Sequence, residues 1–163
     1  MNARDAINYI YKMSEMILNA YVGDLTDQEI LVRPVENANH IAWQLGHLIQ
    51  SEHNMIRAVC PGAMPTLPEG FDAKHTKDTA ASDDPANFLA TAEYLELYAR
   101  QRAATKQALE NCSDDDLDKP APEQLQQICS NVAEIFNMQG VHLLMHCGQW
   151  ATVRRKLGRP VQF

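Results

Sequence analysis

His142-Leu143-Leu144-Met145-His146-Cys147-Gly148-Gln149 lies inside a stretch from Asn131 to Gly158 that carries helical periodicity and the signals of both helix ends. Asn131-Val132-Ala133-Glu134 has the form of a capping box. Arg154, Arg155 and Lys156 suit a last turn, and Gly158 and Pro160 close it. At about 100° per residue, His142 and His146 leave this helix roughly 40° apart, with Gln149 about 20° beyond His142. Ile135, Met138 and Val153 continue the stripe while Arg154 and Arg155 fall away from it, so the pair faces the interior, where imidazole nitrogens need partners.

Working backwards, the chain reads as all-helical. Ile7, Ile10, Tyr11, Ser14, Ile17, Leu18 and Tyr21 mark a first amphipathic helix over about 3–22 that ends near Gly23. Thr26-Asp27-Gln28-Glu29 forms a box for a short turn, and Arg33-Pro34 breaks it. Asn37 or Asn39 caps a second helix over about 40–59, which carries Gly46 and His47. Between Pro61 and Pro85, prolines, glycines and small polar residues rule out a long element. Asp84-Pro85 reads as N-cap and first position of a third helix to about 110, with Phe88, Ala92, Leu95 and Ala99 inward. The Asn131 helix is then the fourth.

Leu25-Thr26-Asp27-Gln28-Glu29-Ile30 with Pro34 is echoed by Cys112-Ser113-Asp114-Asp115-Asp116-Leu117 with Pro120. The chain therefore reads as two helix-turn-helix halves. The link of about 25 residues between them is long enough to cross a bundle, so helices two and three need not be antiparallel.

At 163 residues the chain fits one domain, 1–163, able to bury a core without a metal or disulfide staple. A formal net charge of −7, with cations scattered apart from Arg154-Arg155-Lys156, argues against nucleic acid or an anionic membrane as partner. Cys60, Cys112, Cys129 and Cys147 show no short-spaced pair, and no apolar run approaches the ~20 residues of a membrane span. These features predict a cytoplasmic protein.

Three neutral imidazoles from two packed helices, His47, His142 and His146, could hold a transition metal and leave coordination positions open, the mark of a reactive site. The alternative is histidines satisfied by ordinary hydrogen bonds. Gln149 could position a metal-bound water, orient a ligand or bond a neighbouring backbone group. His40, near a helix start and about 10 Å from His47 along the axis, cannot ordinarily share its ion. His53 and His75 read as surface residues, Cys147 as a packed thiol, and Trp43, Met55 and Trp150 as core. Glu52, Glu93 and Glu96 show no spacing that names a general base.

Asn39-His40-Ile41-Ala42-Trp43-Gln44-Leu45-Gly46-His47-Leu48 and His142 to Gln149 resemble the two signature regions of the DinB-like (YfiT-like) metalloenzyme superfamily, which is distinct from the polymerase sharing that name. The likeness extends over nearly the whole chain, including Leu67-Pro68-Glu69-Gly70-Phe71 and the Arg154-Arg155-Lys156-Leu157-Gly158 end. The resemblance implies a four-helix bundle of up-down-down-up topology, often a homodimer, with a three-histidine metal site mapping onto His47, His142 and His146. Leu143 departs from the polar or acidic residue of many relatives. For chemistry, the resemblance implies a zinc- or nickel-dependent enzyme with a small-molecule substrate, first a transferase using a low-molecular-weight thiol, alternatively a metal-dependent hydrolase. A different class of reading is a non-catalytic metal-binding helical dimer linked to stress response.

Overall fold

The computed structural model describes residues 1–161; the last two positions of the expected 1–163 domain lie outside them. Among the described residues, six α-helices are joined by turns and short 3-10 segments: α1 (Ala3–Val22), α2 (Ile41–Val59), α3 (Phe71–Lys74), α4 (Thr91–Asn111), α5 (Asp114–Leu117) and α6 (Val132–Lys156). No strand occurs among the described residues, and none of their helices is long and apolar enough to cross a membrane.

α1 begins where its local chemistry places it. The Asn2 side chain accepts from the Asp5 N–H at 2.8 Å, and Asp5 returns the bond to the Asn2 N–H at 3.1 Å. Ile7, Tyr11, Ser14, Leu18 and Tyr21 then turn inward, mostly against α6. Thr26 and Glu29 make the reciprocal bonds of a box, and Ser113 and Asp116 repeat them ahead of α5. The sequence echo is thus the same capping device used twice. At α6, Asn131 accepts from the Glu134 N–H, but Glu134 bonds the Ser130 N–H instead, so half of the expected box forms.

The cap of α2 is neither Asn37 nor Asn39. It is His40, whose Nδ1 accepts from the Trp43 N–H at 3.1 Å while Nε2 donates to the Ser82 carbonyl at 3.1 Å. One tautomer satisfies both bonds, so an imidazole replaces the usual short polar cap.

The third long helix starts later than Asp84-Pro85 predicts. Asp84 does cap, but only a 3-10 turn over Pro85–Asn87; Phe88 is extended, and α4 opens at Thr91 with Glu93 accepting from the Ala90 N–H. Its buried face is Tyr94, Leu97, Tyr98, Gln101, Arg102, Thr105, Ala108 and Leu109. Ala92 and Ala99, expected inside, are exposed.

Two apolar clusters fill the interior. One takes Leu18 and Val22 from α1, Leu45 and Ile49 from α2, Tyr94 and Leu97 from α4, and Leu143 and Trp150 from α6. The other takes Ile7 and Tyr11, Met55 and Ile56, Ala108 and Leu109, and Ile135 and Phe136 from the same helices. A polar layer separates them. Arg102 makes a bidentate pair with Glu52, both bonds 2.8 Å, and donates to Gln139 O at 3.1 Å and Ser14 Oγ at 3.4 Å. Its guanidinium lies over the rings of Tyr11 and Tyr98, at 4.4 and 5.1 Å. This one side chain ties together all four long helices, and the pairing explains how two charges tolerate complete burial.

Arg154 is also buried, contrary to its predicted outward direction. It donates to the Tyr21 carbonyl, the Asp24 carboxylate and Pro160 O, which fastens the end of α6 to the end of α1.

Candidate metal centre

α2 and α6 pack so that His47, His142 and His146 each offer one ring nitrogen within 4.8 Å of the others. His142 and His146 share a face of α6, and their Nε2 atoms are 3.2 Å apart. His146 is buried; His47 and His142 are half-buried.

The hydrogen bonds fix the chemical form of His146. Trp150 Nε1 can only donate, and it reaches Gln44 Oε1 at 2.7 Å, so that atom is the amide oxygen. His146 Nδ1 lies 2.9 Å from the same oxygen and must therefore carry the proton. Gln44 is itself held because its Nε2 donates to Asn39 O at 2.7 Å. His146 is left with a lone pair on Nε2, aimed at His142 Nε2. His47 is positioned by stacking: its ring lies parallel to Trp43, 6° between planes and 5.1 Å between centroids, and edge-on to His142 and His146. Among the described residues no hydrogen bond reaches the His47 ring.

The electrostatics keep these rings neutral. Burial, then the neighbouring His47, lowers His142 to about 4, with Glu52 acting in the opposite sense. Burial, then His142 and His47, lowers His146 to about 4, against the opposing pull of the Gln149 side-chain oxygen, which would accept from the protonated ring. Burial also lowers His47. All three lone pairs are thus available at neutral pH, the form a metal ligand needs.

A family model described as the DinB superfamily matches residues 10–150. The chain belongs to the DinB superfamily. No curated protein matches it. The span that matches the DinB superfamily model takes in α2, α4 and all three clustered histidines, and ends on Trp150, the donor that fixes Gln44.

The other sequence candidates sort out by their partners. Gln149 is exposed beside His146. Gln44, which was not singled out, is the residue that orients an imidazole; its place one turn before His47 was the only available signal. Trp43 and Trp150 are buried as expected, and each also positions a member of the site. Leu143 is buried in the core, which accounts for its apolar character. Cys147 is a buried thiol pushed up to about 12 by burial.

His53 and His75, expected at the surface, are both buried. His53 Nδ1 pairs with Gln101 Oε1 at 3.1 Å. His75 Nδ1 donates to Phe71 O at 2.9 Å, and its Nε2 accepts from the Tyr94 hydroxyl at 2.7 Å. The His75 ring presses on Gly46, where an added Cβ would lie 2.0 Å from His75 Cδ2. Gly46 thus makes room for a histidine of the link, which packs directly behind the residue before His47. Glu52, weighed as a base, is engaged by Arg102.

Proposed function

We propose that this chain is a metal-dependent enzyme in which His47, His142 and His146 hold one divalent transition metal, zinc or nickel, and that it transfers the sulfur of a low-molecular-weight thiol to an electrophile. The observation carrying the metal reading is the 3.2 Å approach of His142 Nε2 to His146 Nε2. With His146 protonated on Nδ1, the space between them must be filled by a proton on His142 or by a cation. Nitrogens this far apart both reach a common ion at the ~2.0–2.1 Å of a metal–imidazole bond. No carboxylate or thiol belongs to the cluster among the described residues, and three ligands leave the open position of a reactive ion.

When bound, the ion would supply Lewis acidity, lowering the pKa of a thiol or of water. The protein's own contributions are preorganisation and dryness. Gln44 fixes the tautomer of His146, Trp43 holds the His47 ring by stacking, and burial keeps protons from occupying the lone pairs. Thiol is preferred over water on the family likeness alone.

Within this reading residues 1–163 form one domain. The four long helices make an up-down-down-up bundle with the 60–90 link as crossover. Support comes from the order of the clusters: α1 and α6 meet the Ile7/Phe136 cluster first and the Leu18/Trp150 cluster second, whereas α2 and α4 meet them in reverse. We carry over the homodimer from the same likeness, and light scattering tests it.

The activity is tested with cobalt-loaded protein titrated with glutathione, cysteine and other small thiols. Thiol binding should change the cobalt absorption, and the change should vanish in His142→Ala. An unaltered spectrum with every thiol overturns transfer, and turnover of ester or amide substrates in its place moves the reading to a hydrolase.

A further inference from the structure

At the end of the molecule away from the histidines, α2 and α4 terminate side by side, and each is capped at its C-terminus by a cysteine. Cys60 caps α2 through its N–H to Ile56 O, and Cys112 caps α4 through its N–H to Ala108 O. Their sulfurs are 3.8 Å apart, in van der Waals contact. Both thiols are half-buried and line one open groove of about 310 Å³ together with Val59, Ala63, Asp116 and Lys119. Cys129 and Cys147, by contrast, are buried.

We propose that Cys60 and Cys112 are a reversible dithiol/disulfide site that takes oxidising equivalents from a low-molecular-weight disulfide. Three observations carry this. The sulfurs already touch, so closure to a bond of about 2.05 Å requires a movement of under 2 Å. Both sit at cap positions, where the N–H makes the last bond of the helix and the chain then turns away, so a small backbone adjustment there need not propagate along the helix. The groove gives a small disulfide access to them and not to the other two thiols.

The step balances as two exchanges. One thiolate attacks the small disulfide RS–SR, forming a protein mixed disulfide and releasing RS⁻. The second thiolate attacks the protein sulfur of that mixed disulfide, closing Cys60–Cys112 and releasing a second RS⁻. In sum, two protein thiols plus RS–SR give one protein disulfide and two RSH, with two electrons passing to the small disulfide. Either thiol can open the exchange, since the products are the same; burial and the neighbouring Cys112 push the Cys60 thiol up. Arg4 braces that end of α4, donating to the carbonyls of Leu109 and Cys112.

The site is independent of the metal. Cys60 lies thirteen residues beyond His47 on the same helix, about 20 Å along its axis.

The test equilibrates the full chain with oxidised and reduced glutathione in graded ratios, quenches it in denaturant with an alkylating reagent so that buried and exposed free thiols are all blocked, and maps peptides by mass. The proposal predicts that the native protein falls from four alkylatable thiols to two, loses about 2 Da and yields one crosslinked peptide containing Cys60 and Cys112. Reduced glutathione should reverse this. In Cys112→Ser the crosslink should be absent, with Cys60 carrying at most a glutathione adduct. Four free thiols at every ratio, stable glutathione adducts on wild type without the crosslink, or a crosslink through Cys129 or Cys147 would each overturn it. The wild-type map decides the matter even where the variant folds poorly.

Discussion

Replacing Gly46 by alanine adds one methyl at the point where α2 meets the link. That methyl would lie 2.0 Å from His75 Cδ2 and 2.1 Å from its Nε2, distances that carbon atoms do not share. The ring cannot simply swing aside, because Phe71 O and the Tyr94 hydroxyl hold its two nitrogens and it is 2% exposed. Overpacking of this kind costs ~1–3 kcal/mol. Displacing the ring also strands buried polar groups at ~1–3 kcal/mol. Alanine returns up to ~1 kcal/mol of helix propensity. The net is a loss of about 3 kcal/mol, or a Tm lower by roughly 6–12 °C for a chain of this size. The cleaner assay is a double-mutant cycle followed by thermal or urea unfolding. In a His75→Ala background the obstacle is gone, so Gly46→Ala should be neutral or stabilising by up to ~1 kcal/mol. An equal cost of Gly46→Ala in both backgrounds would refute the claim that this glycine exists to seat His75.

Three further outcomes follow from the polar interior. Gln44→Leu removes the acceptor shared by His146 and Trp150, and chelator competition should show metal affinity lower by about 10–100-fold; unchanged affinity would mean that Gln44 does not orient the ligand. Glu52→Leu leaves the Arg102 guanidinium buried without its carboxylate, and urea unfolding should report a loss of ~3–5 kcal/mol, whereas a near-zero change would show that the layer tolerates an unpaired cation. In metal-free protein, His75, His142 and His146 titrate near 4 in the fold against about 6.5 when unfolded. As pH falls through 6.5 the unfolded chain takes up these protons first, so stability is intact above 6.5 and declines towards 4. Urea midpoints from pH 7.5 to 4.5 should fall accordingly, and a flat profile contradicts the neutral, buried state of these rings.

How far the sequence was legible depended on whether a residue's partner lay nearby in the chain. α1 and both Thr/Ser-x-x-acid boxes were readable because cap, stripe and terminator all lie within a few residues. The histidine trio was legible because the i, i+4 spacing puts His142 and His146 on one face, and His47 follows Gly46 in the middle of a second helix; the family likeness mapped onto the same three. The phase of α4 was not, because Gln101, Arg102 and Thr105 face inward, and a stripe of apolar residues cannot reveal a polar layer satisfied by Glu52, Ser14 and Gln139 on three other helices. His53 and His75 were misplaced for the same reason: Gln101 and Tyr94, which make their burial tolerable, are distant in sequence. The cap by His40 depended on Ser82 choosing its tautomer from forty-two residues away. Cys60 and Cys112 stand at unrelated points of the sequence and meet only because two helices end together.

The central claim is that three imidazoles converge on one ion, and metal stoichiometry tests it most directly. Protein made without a polyhistidine tag should carry or take up one equivalent of zinc or nickel by elemental analysis, and the folded His47→Ala, His142→Ala, His146→Ala triple variant should take up none. A wild-type chain that binds no divalent metal, or a triple variant that binds as much as wild type, would contradict it.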